Sequence, residues 1–225
     1  MDTCAYYDLI NIPLQLTFTN PLLEERDCYD RLGNKILELL HTGKNEVLIS
    51  SPILEEYIKS EYPLYKINRS IINTKEDYNY EKALKKQYNN IVLPRRHVKD
   101  IDFLQTINPK YRNRIELLCN DPCPIDCPNL YSHYERYANI TLFNSSVSSL
   151  INDCTNEKRC NNYLYIIKED QITYDDIINT YLPLGYTEFK LAGRSNCYTI
   201  ITSIVPYLVK PEYQMNMVSK LLHLI

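Results

Sequence analysis

The amino-acid sequence predicts an α/β fold on a parallel sheet: a (β/α) barrel of TIM type, closed or incomplete, with about seven strands. Three observations carry this. Short apolar runs alternate with longer stretches of helical spacing, at intervals of about 20 to 30 residues. The runs look apolar rather than strictly alternating with polar residues, as strands covered on both faces do. The chain has only 4 glycines, and no Gly-rich phosphate turn follows any run, which disfavours the open doubly wound sheet of dinucleotide-binding proteins.

The elements follow in order. Residues 12–19 (IPLQLTFT) read as the first strand, and 24–41 as a helix with Leu32, Ile36, Leu37, Leu39 and Leu40 at helical spacing, ending near Gly43. Residues 46–51 (EVLISS) form the second strand; Pro52, favoured at a first helical position, opens a helix through Ser60. The third strand is 65–70 (YKINRS), followed by a charged helix around 80–88; the fourth is 90–94 (NIVLP), followed by a helix over 100–107. The fifth is 114–120 (RIELLCN). After a cysteine-bearing insertion at 120–162, residues 163–167 (YLYII) read as the sixth strand, 175–182 as its helix and 187–192 (TEFKLA) as the seventh strand. Residues 196–208 and 213–224 are closing helices. An eighth, irregular strand is expected within 1–11 or 130–150 if the barrel closes. Residues 1–225 are thus expected to form one barrel domain.

Composition restricts the function. Hydrophobic residues at 44% and charged residues at 24% are those of a globular protein. A formal net charge of -3 supplies no whole-molecule basic field for non-specific nucleic-acid binding, and Lys85, Lys86, Arg95, Arg96 and Lys99 form only a modest basic cluster. No apolar run suits a bilayer, and the acidic N-terminus does not read as a signal peptide, so a cytoplasmic, reducing location is expected. There, eight cysteines are explained more readily as core residues and metal ligands than as disulfides.

Functional groups of parallel barrels gather where strands end and loops converge. Those ends carry Asn20, Ser50 and Ser51, Asn68–Ser70, Arg95 and Arg96, Cys119–Cys127, Lys168 and Lys190–Arg194. Cys119, Cys123 and Cys127 lie in LCNDPCPIDCPNLYSHY, where Pro122, Pro124 and Pro128 forbid a helix and stiffen the loop. With Cys154, Cys160 and Cys197 they exceed the four thiolates that a zinc ion or an iron-sulfur cluster requires. The spacing does not choose the metal, and Cys4, Cys28 and Cys119 also suit the role of small buried side chains. His133 is a further donor or an acid-base group, with a surface or capping role as the alternative. Lys190 and Arg194, around Gly193, and Arg95 are candidates to bind an anionic part of a substrate; a basic rim paired with Glu188 is the plainer reading. His41, His97 and His223 have no partner at a recognisable spacing and receive no role.

The succession of VLISSPILEEYIKSEYPLYKINRSI, NIVLPRRHVKDIDFLQTI, RIELLCNDPCPIDCPNLYSHY and ITYDDIINTYLPLGYTEFKLAGRSNCYTIITSIVPYLVKPEY resembles the collagenase-like peptidase family, unknown-mechanism family U thirty-two, over most of residues 46–213. The most specific piece is GYTEFKLAGR, similar to the family's F-K-I-E-G-R followed by a Tyr-containing helix. The resemblance implies an α/β barrel, with Lys190, Gly193 and Arg194 at the family's Lys, Gly and Arg. It further implies an iron-sulfur cluster on cysteines and, as in several relatives, a part in hydroxylating RNA bases or ubiquinone precursors; other members are peptidases. Ala192 stands where the family has an acid, Arg95-Arg96 replaces its Arg-Glu pair, and Cys119-Asn120 its His-Gly.

The leading expectation is therefore a barrel protein that binds an iron-sulfur cluster, or alternatively zinc, and acts in the hydroxylation of RNA or a small molecule. The alternatives are a peptidase-like metal-dependent hydrolase and a non-catalytic protein whose cysteines staple the insertion. No membrane partner is expected, and a homodimer would cover the open edge of an incomplete barrel.

Overall fold

Asn45 ties the first two strands together before either begins. Its side-chain carbonyl accepts the Leu14 N–H at 2.9 Å while its amide donates to the Leu40 carbonyl at 2.9 Å, so the turn after the second helix and the start of the sheet share one buried side chain. The computed structural model describes residues 3–72, 80–120, 123, 125, 127–143, 171–192 and 197–223; at 197–200, 202 and 203 it describes the backbone alone. Among them are α1 (Thr3–Leu9), β1 (Gln15–Phe18), α2 (Arg31–Leu39), β2 (Glu46–Ile49), α3 (Pro52–Glu61), β3 (Lys66–Arg69), α4 (Tyr80–Lys85), β4 (Ile91–Val92), α5 (Ile101–Thr106), α6 (Pro109–Arg112), β5 (Ile115–Leu118), α7 (Leu130–Phe143), α8 (Tyr174–Asp176), β6 (Glu188–Lys190), α9 (Cys197–Leu208) and α10 (Pro211–Leu222). The chain is an α/β protein and its strand pairings are parallel. None of its helices, among the described residues, is long and apolar enough to cross a membrane.

Two compact units divide the chain, residues 1–92 with 128–153 and residues 93–127 with 154–225. In the first, β1 to β4 are neighbours in chain order, with Leu16 opposite Val47 and Val47 opposite Ile67. Val47, Ile49 and Ile91 are wholly buried, as strands covered on both faces require. The helices α2 and α3 that precede β2 and β3 each carry their own start signal. Asp30 accepts the Gly33 N–H to open α2; Ser51 accepts the Leu54 N–H at 3.4 Å to open α3, with Pro52 at its first position. Gly43, at φ +79°, takes the left-handed turn between α2 and β2.

In the second unit, the Leu93 N–H donates to the Glu116 carbonyl at 3.0 Å, and β5 pairs with β6 with Leu117 opposite Phe189. α8 runs on into a π-helical stretch, Ile177–Tyr181, whose wide turn is closed by the Leu182 N–H on the Ile177 carbonyl at 3.0 Å. Tyr181 and Tyr186 are buried and each gives its hydroxyl to a main-chain carbonyl, Val98 at 3.0 Å and Leu104 at 2.7 Å. The π-helical stretch lies within residues expected as an ordinary helix.

Of the ranges 1–11 and 130–150, in which an eighth strand is expected if the barrel closes, the described residues form no strand: α1 covers Thr3–Leu9 and α7 covers Leu130–Phe143, while 144–150 lie outside the described residues. In the latter, Tyr134, Ala138 and Thr141 recur at helical spacing, Ala138 is buried, and Asn20 at the end of β1 donates to the Ala138 carbonyl at 2.8 Å and to the Thr141 hydroxyl at 2.9 Å. Residues 163–167, expected as a strand, lie outside the described residues; β6, expected as the seventh, pairs directly with β5.

Candidate functional site at the carboxyl ends of β5 and β6

Glu116 is a charged residue in the middle of an otherwise apolar strand, a position that demands a partner. Its carboxylate meets the Lys190 ammonium at 3.0 Å, both side chains largely covered. Lys190 thus pairs across the ladder with Glu116, and not with Glu188 two residues back on its own strand. One step further toward the strand ends, Asn120, 2% exposed, closes a two-way clamp: its amide donates to the Ala192 carbonyl at 2.9 Å and its carbonyl accepts the Ala192 N–H at 2.6 Å. The clamp holds the exits of β5 and β6 side by side, and the Cys119 N–H adds a bond to the Lys190 carbonyl at 2.9 Å.

Arg95 follows β4 in a 3₁₀ turn (Arg95–His97) and is 5% exposed. Its guanidinium donates to the main-chain carbonyl of Cys123, so a buried cation holds the loop that carries Cys123 and Cys127. Both thiols are half-buried and neither is in a disulfide. Within this unit Arg95 and Lys190 are the two cations at these strand ends whose contacts are described, the first on the Cys123 carbonyl and the second on the Glu116 carboxylate.

Cys119 has a different setting. It is 1% exposed, its Sγ contacts the Leu117 carbonyl at 3.5 Å, and burial, with Glu116 adding to it, pushes its thiol up to about 12. In this conformation it packs as a small protonated side chain among the core tyrosines Tyr181 and Tyr207, whose hydroxyls burial also pushes up. A tetrahedral metal or a cluster asks for four donors. Cys123 and Cys127 offer two exposed enough to serve; among the described residues no group of three or more His, Cys, Asp or Glu is arranged to hold a metal ion, so these residues do not by themselves make up the site. Gly193, Arg194, Cys154 and Cys160 lie outside the described residues, as does the side chain of Cys197. His133 sits on α7 in the first unit, its Nε2 buried without a hydrogen-bond partner.

His97, given no role from sequence, sits two residues from Arg95. Its ring stacks on Phe103 at 3.9 Å and 16°, and its Nε2 accepts from the Arg96 Nε at 3.2 Å. Burial and then the Arg96 charge hold its pKa below the usual histidine value, favouring the neutral ring. The RRH run after an apolar strand was the sequence signal, legible only once the stacking partner six residues on was in place.

No protein-family model matches the chain, and no curated protein and no solved structure is significantly similar to it.

Proposed function

We propose that the chain is a barrel-type α/β protein of the U thirty-two kind whose substrate site lies at the carboxyl ends of β5 and β6, and that it acts in the hydroxylation of RNA or a small molecule with an iron-sulfur cluster as its reagent. The observation that carries the reading is the buried Arg95 holding the Cys123 carbonyl: a rigid cation beside a thiol-bearing loop at the strand ends. Cys123 and Cys127 are the donors the reading relies on, Lys190 and Arg95 orient an anionic part of the substrate, and Glu116 and Asn120 position Lys190 and the loop exits. The remaining donors would come from Cys154, Cys160 and Cys197.

Protein purified without oxygen should contain iron and acid-labile sulfide, be brown, and lose the iron in Cys123→Ser and in Cys127→Ser. Unchanged iron in both variants overturns the assignment of those thiols. Stoichiometric zinc without iron would favour a metal-dependent hydrolase instead, and protein free of metal would leave the loop a structural element.

A further inference from the structure

The first unit holds an unsatisfied polar group at the functional end of its own strands. Ser50, immediately after β2, is 3% exposed, and its Oγ is buried with no hydrogen-bond partner. An orphaned buried hydroxyl forfeits the hydrogen bonds it would make to water and calls for an explanation. Its neighbours are donors. The register that sets Ile49 opposite Arg69 carries Ser70 beside Ser50, and the Ser70 N–H donates to the Ile49 carbonyl at 2.8 Å. Ser70, also 3% exposed, accepts the Ile72 N–H on its Oγ at 3.1 Å, which leaves its hydroxyl proton for another acceptor.

Two cationic features converge on the same place. The half-buried Arg69 donates to the Ser50 carbonyl, and no carboxylate pairs with it among the described residues. Ser50 also directly precedes Ser51, the N-cap of the ten-residue α3, so it stands at the positive end of that helix. In its first turn Pro52 has no N–H, Ser51 takes that of Leu54, and the N–H of Ile53 has no partner among the described residues. The acid in that turn, Glu55, is already engaged by Lys59 at 2.6 Å and by the Tyr88 hydroxyl at 2.5 Å, with Lys86 at 3.7 Å.

We infer that the carboxyl ends of β2 and β3 form a phosphate-binding subsite, in which the Ser50 and Ser70 hydroxyls and the start of α3 take the oxygens of a phosphate group and Arg69 supplies the charge. Phosphate suits the arrangement because its several oxygens can accept from donors that converge from two strands and a helix. The subsite goes beyond the proposed hydroxylation chemistry and is built from residues of the first unit, whereas Cys123 and Cys127 belong to the second.

The test is a titration with inorganic phosphate, at ionic strength held constant with chloride, read by the thermal midpoint and by calorimetry on the full chain, with acetate in a parallel arm. Phosphate should bind at one site and raise the midpoint more than acetate does, and Ser50→Ala and Ser70→Ala should each weaken it at least fivefold. Three results overturn the inference: no phosphate response beyond that of chloride, an equal response to acetate, or a Ser50→Ala protein that is more stable than the parent and binds phosphate unchanged, the mark of a hydroxyl that is only badly packed. Ser70→Ala keeps the question open to decision if Ser50→Ala fails to fold. Iron content, read on the same samples, should not change, so failure here and failure of the cysteine reading are told apart.

Discussion

Arg95 and Cys123 stand 28 residues apart, and the guanidinium of the first donates to the main-chain carbonyl of the second. A side chain that is 5% exposed therefore holds the main chain at Cys123. Arg95→Ala should release the loop: alkylation of Cys123 and Cys127 should quicken several-fold, with a loss of about 1.5–3 kcal/mol in stability, the range for a hydrogen bond to a charged group. Arg95→Lys should restore little, because an ammonium lacks the planar fork. Peptide mapping of alkylated thiols checks this, and equal rates in parent and Arg95→Ala would show that the loop is placed by something else.

Cys119 should behave as the opposite of its two neighbours in sequence. With its thiol pushed up to about 12 by burial and by Glu116, it is protonated across the working pH range, and reagent reaches it only through unfolding. Labelling at pH 8 should mark Cys123 and Cys127 first, with Cys119 following the global unfolding rate and accelerating with added urea. If Cys119 labels in native protein as fast as Cys123, the buried placement is wrong.

The Glu116–Lys190 pair should show its coupling in a double-mutant cycle. Each partner is largely covered, so removing one leaves a poorly solvated charge. Glu116→Gln and Lys190→Met should each cost about 1–3 kcal/mol, and the double variant clearly less than their sum. Additive costs in urea unfolding would mean that the two side chains do not interact in solution.

Most of the framework was legible in the sequence because local signals and the sheet agree: EVLI and IELL are apolar strands, Pro52 and Ser51 open α3, and Asp100 caps α5. Only closure of the barrel asks for one more strand within 1–11 or 130–150, a demand of topology; the local spacing at Thr3–Leu9 and Leu130–Phe143 is helical, and helices form there. The candidate site was legible as a set of strand ends, since Arg95, Asn120 and Lys190 occupy them. Its pairings were not. That Lys190 meets Glu116 and not Glu188 depends on strand register, and that Cys119 turns into the core while Cys123 does not depends on where β5 stops; neither follows from spacing along the chain.

The remaining prediction concerns Glu55, 2% exposed in the first turn of α3. Burial pushes its carboxyl up, but the bonds from Lys59 and Tyr88 and the charges of Lys86 and Lys59 outweigh that, so its pKa lies below the usual glutamate value. The folded protein then holds this proton less tightly than the unfolded chain does. The stabilisation is fully present above the unfolded value of about 4.3 and is lost as pH falls from there through the lower folded value. Urea midpoints measured from pH 7 down to pH 3 should therefore fall more steeply for the parent than for Glu55→Gln, whose amide does not titrate. At pH 7 the variant should be less stable by about 1–3 kcal/mol, since the half-exposed lysines can turn to solvent while the Tyr88 hydroxyl loses its charged acceptor. Parallel pH profiles for the two proteins would show that Glu55 does not carry this part of the acid sensitivity.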